Sequence, residues 1–469
     1  MTTEMNAKGW LRIAVIAIAM LGNAAFAEDW PTYRHDHQRS GVTGENLNPA
    51  KLKTVWVYRS AHVPQMAFSG PAPRDFYNRP DTDLKPRMDF DRVFNVAVVG
   101  ERAFFGSSAE DAIYCLDTRT GRPVWVYVTE GPVRLAPTWH GGRVYAGSDD
   151  GHVYCLDANT GNLIWKRRIA ERDYRLPSDG KFISLWPVRS GVVVDGKVAY
   201  CAAGFLPSES AYLAALDVET GEVGKPGTWR HVRSGELSLQ GFMLASNDRL
   251  YVPAGRSPPY IIDRATGKVQ GQISGGGGTY CILDDRQQLI YGPSRYGGLE
   301  LSNADVRKTM VTFEANHIVV DGDTSYLQTD THLRAIDRHS YHQQSVRKRK
   351  AESRRKAAYD ALKKLGKDHS SDRAKGLLAE MDNAKQETVD ATKRLRATLK
   401  WQANCEHPHA MIKAGEFLYT GGSGKVAAFS ARSGKQVWQS IVSGNAFGLA
   451  VANGVLFVST DNGTIHAFR

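Results

Sequence analysis

The amino-acid sequence predicts an all-β fold, an eight-bladed β-propeller, and three observations carry that expectation. The motif D-x-x-T-G occurs four times, at Asp117, Asp157, Asp217 and Asp263, with a weakened copy at Ser430. The first two copies are 40 residues apart, and Arg143 to Trp165 around the second reads as three short strands joined by Gly-rich turns. Such a meander is marginal alone, so its recurrence at a propeller period is what makes a stable fold. The termini, thirdly, are complementary. Residues 444–469 supply three strands of a unit, and Lys53–Tyr58 has the pattern of the missing fourth. Pairing them would close the ring and remove both free edges.

Taken in order, residues 1–27 read as a secretory leader. Lys8 and Arg12 precede an apolar run, and Ala25-Phe26-Ala27 is a small-residue cleavage site. The expected mature chain, 28–469, is exported to the periplasm or the cell exterior and has no transmembrane segment. Residues 60–92 contain five prolines and no periodicity, which predicts a long loop. The last strands of successive units fall at 124–128, 163–169, 229–232, 268–273, 308–313, 399–404 and 436–442. The unit 280–313 is the most degenerate, and 170–185 and 205–210 lengthen connections. In the turn motif an Asp carboxylate accepts backbone N–H groups while Gly takes positive φ. Trp125, Trp165 and Trp438 follow the motif's last position by four residues and are expected to pack between sheets.

Residues 343–400 break the pattern. Their Ala, Lys, Arg, Leu and Glu, with apolar residues at helical spacing, predict a coiled-coil-like helical hairpin inserted in blade six. Its turn is placed at Gly366, with a cap at Ser370 or Ser371. The formal charge is +11, but residues 341–400 alone carry +9. The basicity therefore belongs to the insert, which excludes a nucleic-acid role for the whole molecule and makes the arm a candidate contact for an anionic surface. Five cysteines without CxxC or CxxCH spacing are expected as buried strand thiols.

The units G-x-V-Y-x-G-S-x-D-G-x-V-Y-x-L-D-x-x-T-G-x-x-x-W, best seen at Gly142–Trp165, resemble the repeats of the pyrroloquinoline quinone (PQQ) propeller superfamily. That family includes quinoprotein alcohol dehydrogenases and BamB-like envelope proteins. Asp29-Trp-Pro-Thr-Tyr-Arg34-His-Asp36 with Arg39-Ser-Gly41, and Phe182–Pro187, are similar to exported bacterial members of unassigned activity. The resemblance implies the propeller and a binding or interaction scaffold in the envelope, with a protein or envelope component as partner. Its alternative implication is a PQQ-dependent oxidoreductase using PQQ and Ca²⁺. The sequence lacks the dehydrogenases' adjacent cysteine pair and the lipidated N-terminal Cys of BamB-like proteins.

In a propeller the first strand of each blade lines the channel, and ligands bind at its mouth. Candidate channel residues for a small ligand or cofactor are Arg134, Trp186, Arg189, Gln240, His317, His409 and Asn445, with Asn95 and Asp91 beside them. Arginine, aromatic and amide groups can clamp a planar anion through bidentate and stacking contacts. The pairs His35/His37 and His407/His409 lack a third ligand nearby in sequence, so no metal site is expected. No catalytic residue is assigned. A chain ending inside a blade also leaves room for a longer parent protein.

Overall fold

The computed structural model describes residues 27–68 and 88–469, apart from 179, 207, 234, 236, 295, 296, 306 and 367–369. The expected leader and most of the Pro-rich loop lie outside these. Among the described residues, six four-stranded antiparallel meanders follow one another, spanning 97–128, 138–168, 193–233, 244–272, 280–313 and 317–404. A seven-stranded sheet follows, in which the long strand Gln436–Ala452 passes from one four-strand set into the next. The outermost strand of that sheet is Thr54–Arg59 from the N-terminus, antiparallel to Thr464–Phe468. The 170–185 connection holds a further hairpin, Arg175–Ser178 with Lys181–Ser184.

Alternation puts one apolar face of each strand against the sheet before and the other against the sheet after. Phe104 and Tyr154 join the first two sheets, and Tyr145, Trp165 and Leu216 the second and third. Trp229 and Ile262 join the third and fourth, then Tyr251 and Leu289 the fourth and fifth. Ile290 and Leu327 continue to the sixth, and Leu333 and Phe429 to the seven-stranded sheet. The last cluster packs Phe457 and Ile465 on Val98 and Phe105 of the first sheet.

The turn motif and the tryptophans form one joint. Asp157 Oδ1 accepts the Thr160 N–H at 2.8 Å and its hydroxyl at 2.9 Å. The carbonyl just after the motif's Asp then accepts a tryptophan indole from the preceding sheet. Trp56 donates to Thr118 at 2.8 Å, Trp125 to Ala158 at 3.1 Å, Trp165 to Val218 at 3.0 Å and Trp229 to Arg264 at 3.1 Å. Trp401 donates to Ala431 at 3.0 Å, after the weakened copy. The motif glycine has positive φ and lies under the ring. A Cβ on Gly161 would meet Trp125 at 2.6 Å.

The insert grows from this same turn. Asp337 Oδ1 accepts the Ser340 N–H at 2.7 Å, as its counterparts accept Thr, and the chain continues as helix α1, Arg338–Lys364. Helix α2, Asp372–Ala397, is capped by Ser371 and returns the chain to Leu399–Asn404. Helix thus begins five residues before the sequence boundary at 343, because Asp337 is both turn aspartate and N-cap. Buried alanines at heptad spacing, Ala351/Ala358 and Ala384/Ala391, face the hairpin interior. All five cysteines are buried and unpaired.

Replacing buried Trp165 by Ala, which removes an indole seated between two sheets, is expected to lower the unfolding free energy by about 3 kcal/mol. Denaturant titration of W165A against the parent chain measures it, and an unchanged midpoint contradicts the joint.

Candidate functional site

The N-terminal segment decides where a site can form. From Trp30 to Thr43 it crosses one face of the sheets, touching the first strands of most of them. Trp30 bridges Val98, the Thr32 hydroxyl meets that of Thr138 at 2.8 Å, and the His37 carbonyl accepts from Ala245 at 3.0 Å. The Gln38 carbonyl accepts from Leu283 at 2.8 Å, and Val42–Thr43 pair with Lys413–Ala414. Two buried arginines fasten it, mostly through carbonyl oxygens. Arg39, 1% exposed, donates to Met243 O at 3.1 and 2.9 Å and to Thr32 Oγ1 at 2.8 Å. Arg34 donates to Arg39 O at 2.9 Å and Met411 O at 3.1 Å, with its guanidinium 5.2 Å over Tyr280. Burial pulls Arg39 down to about 10, so it stays protonated at neutral pH. Arg34 and His35 both have positive φ, a strained turn held by these bonds.

Tyr33 leaves this segment to stack on Phe242 at 3.5 Å, and the pair lies beneath a pocket of about 270 Å³. Its wall carries Asn95, His317 and His409 from the ends of first strands, with Arg92 and Phe447. Arg92 lies 4.9 Å over the Phe447 ring and 3.3 Å from Asp89, while His409 is 4.4 Å from the same ring. His409 Nε2 meets Ser423 Oγ at 3.0 Å. His317 Nδ1 lies 2.8 Å from Gln328 Oε1, whose amide nitrogen donates to Ala410 O at 2.9 Å. Nδ1 must therefore carry the proton, which leaves Nε2 an acceptor. Burial pulls His317 down to about 3, so the wall is neutral there at neutral pH. The pocket combines an aromatic floor, one stacked cation, imidazoles and two carboxylates, Asp89 and Asp330. It can bind a small planar or aromatic group bearing hydrogen-bonding edges.

The other sequence candidates lie elsewhere. Arg134 and Arg189 converge on Asp149, which is 1% exposed. Arg189 binds it in fork fashion at 2.8 and 2.7 Å, and Arg134 Nε at 2.6 Å. Arg134 also reaches Asp91 at 2.9 Å and Gln65 O at 2.6 Å. Burial opposes ionisation of Asp149, but Arg189 and Arg134 outweigh it and hold its pKa low. Phe68 and Phe205 flank the Arg189 guanidinium at 5.7 and 5.0 Å. Trp186 sits between the second and third sheets, edge-on to Tyr212, and Gln240 donates to Ser238 at 2.9 Å. Asn445 pairs with Asp461 at 2.7 Å. The structure thus brings Asn95, His317 and His409 together and sets the two arginines apart in an ion cluster. Tyr33, Arg92, Phe447 and Asp149 were not singled out from the sequence. The Trp-Pro-Thr-Tyr-Arg run was the available signal for Tyr33. Asp149 was hidden as a turn residue.

A PQQ-type quinone, with carboxylates and a Ca²⁺ ion, needs free cations and a set of oxygen ligands. Arg134 and Arg189 are already engaged by Asp149 and, for Arg134, Asp91. Among the described residues no group of three or more His, Cys, Asp or Glu side chains is arranged to hold a metal. His407, beside Cys405 Sγ at 3.7 Å, is buried. Arg92, Asn95, Asp89 and Asp330 of the pocket are what the described residues would offer such a ligand.

The family model described as outer membrane protein assembly factor BamB matches residues 82–181 and 385–469. These are PQQ-like repeats. No curated protein matches the chain significantly. Among solved structures, the quinohemoprotein alcohol dehydrogenase of Comamonas testosteroni is similar at 15% identity and TM-score 0.56, over 96% of this chain and 82% of that one. The quinohemoprotein alcohol dehydrogenase ADHIIG of Pseudomonas putida is similar at 11% identity and TM-score 0.56, over 94% and 80%. BamB of Moraxella catarrhalis gives 14% identity and TM-score 0.48, over 82% and 99%. At these identities the likeness is one of fold.

Burial holds His407 and His466 down to about 4, as it holds His317 to about 3. Unfolded histidine titrates near 6.5. The unfolded chain therefore takes up protons first as pH falls below about 6.5, and stability is lost from there toward pH 4. The melting temperature is expected to fall across that window, and less steeply in H317N. Equal slopes in the two proteins contradict the assignment.

Proposed function

We propose that this protein is an exported eight-bladed propeller, its ring closed by the Thr54–Arg59 strand, that serves as a binding scaffold in the cell envelope. The observation that carries this reading is the pocket above Tyr33 and Phe242. Tyr33 of the N-terminal segment contributes to its floor, and it is lined by aromatic rings, Arg92, two histidines and the carboxylates of Asp89 and Asp330. Such a lining recognises a small ligand, or an aromatic or amide-bearing segment of a protein partner, without nucleophile or metal. The sequence candidates divide in this reading. His317 and His409, with Asn95 beside them, contact the ligand, while Arg134 and Arg189 are engaged by Asp149.

Two supports stand beside it. The PQQ-like repeats match a family described by an assembly factor, and among the described residues no helix is long and apolar enough to cross a membrane. Export rests on the N-terminal sequence pattern.

Affinity capture from envelope extract with the parent chain and with an Arg92→Ala/His409→Ala variant tests the pocket. A captured component that drops at least about tenfold with the variant, the loss of roughly 1.4 kcal/mol, is the expected result. Equal capture removes the pocket from recognition. In parallel, PQQ with Ca²⁺ is expected to leave both the melting temperature and the absorbance spectrum unchanged. A raised melting temperature with a spectral shift would replace the scaffold by an oxidoreductase, because a tight native-state ligand stabilises.

A further inference from the structure

We propose that the helical arm, residues 338–397, docks the protein onto an anionic phospholipid surface. The arm is independent of the mouth pocket. It carries 17 Lys and Arg against 8 Asp and Glu, so it holds nearly all the net charge of the chain. Helix α1 has 27 residues and so is about 40 Å long.

Among the described residues the arm is anchored to the sheets near its base. Arg338 reaches Asp284 at 2.7 Å and Asp285 at 2.5 Å, Tyr341 stacks on Phe313 at 5.5 Å, and Arg349 donates to the Thr309 carbonyl. Beyond the base the two helices hold each other. Arg347 pairs with Glu387 at 3.1 Å and Arg354 with Glu380 at 3.4 Å and with Glu387, a ladder at heptad spacing beside the alanine seam. That ladder consumes two cations. Lys350, Arg355, Lys356, Lys363 and Lys364 are exposed and have no carboxylate partner among the described residues.

Two features favour lipid over an acidic protein. The seam is filled, so the hairpin offers no apolar groove that a partner helix would complete. The unpaired cations are spread around α1 and out to its end rather than gathered in one stripe. Such diffuse charge suits mobile headgroups that rearrange around it, whereas a folded protein presents fixed anions. Tyr359 and Leu378, 54% and 38% exposed, add isolated apolar contacts near the tip.

Co-sedimentation of the full chain with vesicles of phosphatidylglycerol mixed with phosphatidylcholine, and of phosphatidylcholine alone, tests the proposal. Binding is expected only to the anionic vesicles, weakening steeply with salt. The variant K350Q/R355Q/K356Q/K363Q/K364Q is expected to bind at least about tenfold more weakly with an unchanged melting curve. A control variant neutralising five cations in turns outside the arm, K51Q/R122Q/K268Q/R432Q/K435Q, loses the same charge and is expected to keep most of the binding. No binding to the anionic vesicles, or equal loss in both variants, overturns the proposal. Retention on immobilised polyglutamate but not on vesicles would reassign the arm to an acidic polypeptide and also overturn it.

Discussion

The fold depends on one repeated joint, an indole of one sheet bonded to the carbonyl that follows the turn aspartate of the next. Each part serves the others. The aspartate gathers the turn amides, the glycine leaves room for the ring, and the ring covers the turn and shields its hydrogen bonds from water. Sheets with few backbone bonds between them are thereby fixed in angle as well as in spacing. The joint also links the two ends of the chain, since Trp56 of the N-terminal strand docks on Thr118 and Gly121 of the first complete sheet. A second apolar contact, Phe457 and Ile465 on Val98 and Phe105, lies alongside.

The joint explains how a long helical hairpin is tolerated. An insertion inside a strand would break a ladder, and one in a first strand would intrude on the centre. The turn between third and fourth strands already ends in a carboxylate that accepts the amide three residues on, which is the bond an N-cap makes. Asp337 performs both tasks, and Trp401 still finds its carbonyl on Ala431 after the excursion. The insert therefore costs the sheet no hydrogen bond.

The architecture was legible because its determinants are local. Asp157, Thr160, Gly161 and Trp165 lie within nine residues, and their copies recur with the period. The Lys53–Tyr58 strand was legible for the same reason, since its Trp56 repeats the pattern. The site was legible only in part. His317 and His409 follow from position at the start of first strands. Arg134 and Arg189 occupy equally plausible positions, but Asp149 lies 15 and 40 residues away from them, and pattern alone does not reveal that it draws both away from the pocket. Tyr33 was less accessible still. Its place under the pocket depends on a segment that has no periodicity and is held by carbonyls from four sheets.

That lacing has a kinetic consequence. Arg34 binds the Met411 carbonyl, 377 residues later in the chain, and Glu45 binds the Asn453 amide at 2.8 Å, 408 residues later. This segment's contacts are thus completed only when sheets far along the chain are present. Until the final sheet arrives, Arg34 lacks its Met411 carbonyl and Glu45 its Asn453 amide, while the middle sheets assemble by local contacts. The last sheet supplies the partners of Thr54–Arg59, Arg34 and Glu45. In a protein built this way, loss of the last sheet takes His409 and Phe447 from the pocket and the Met411 carbonyl from Arg34 together.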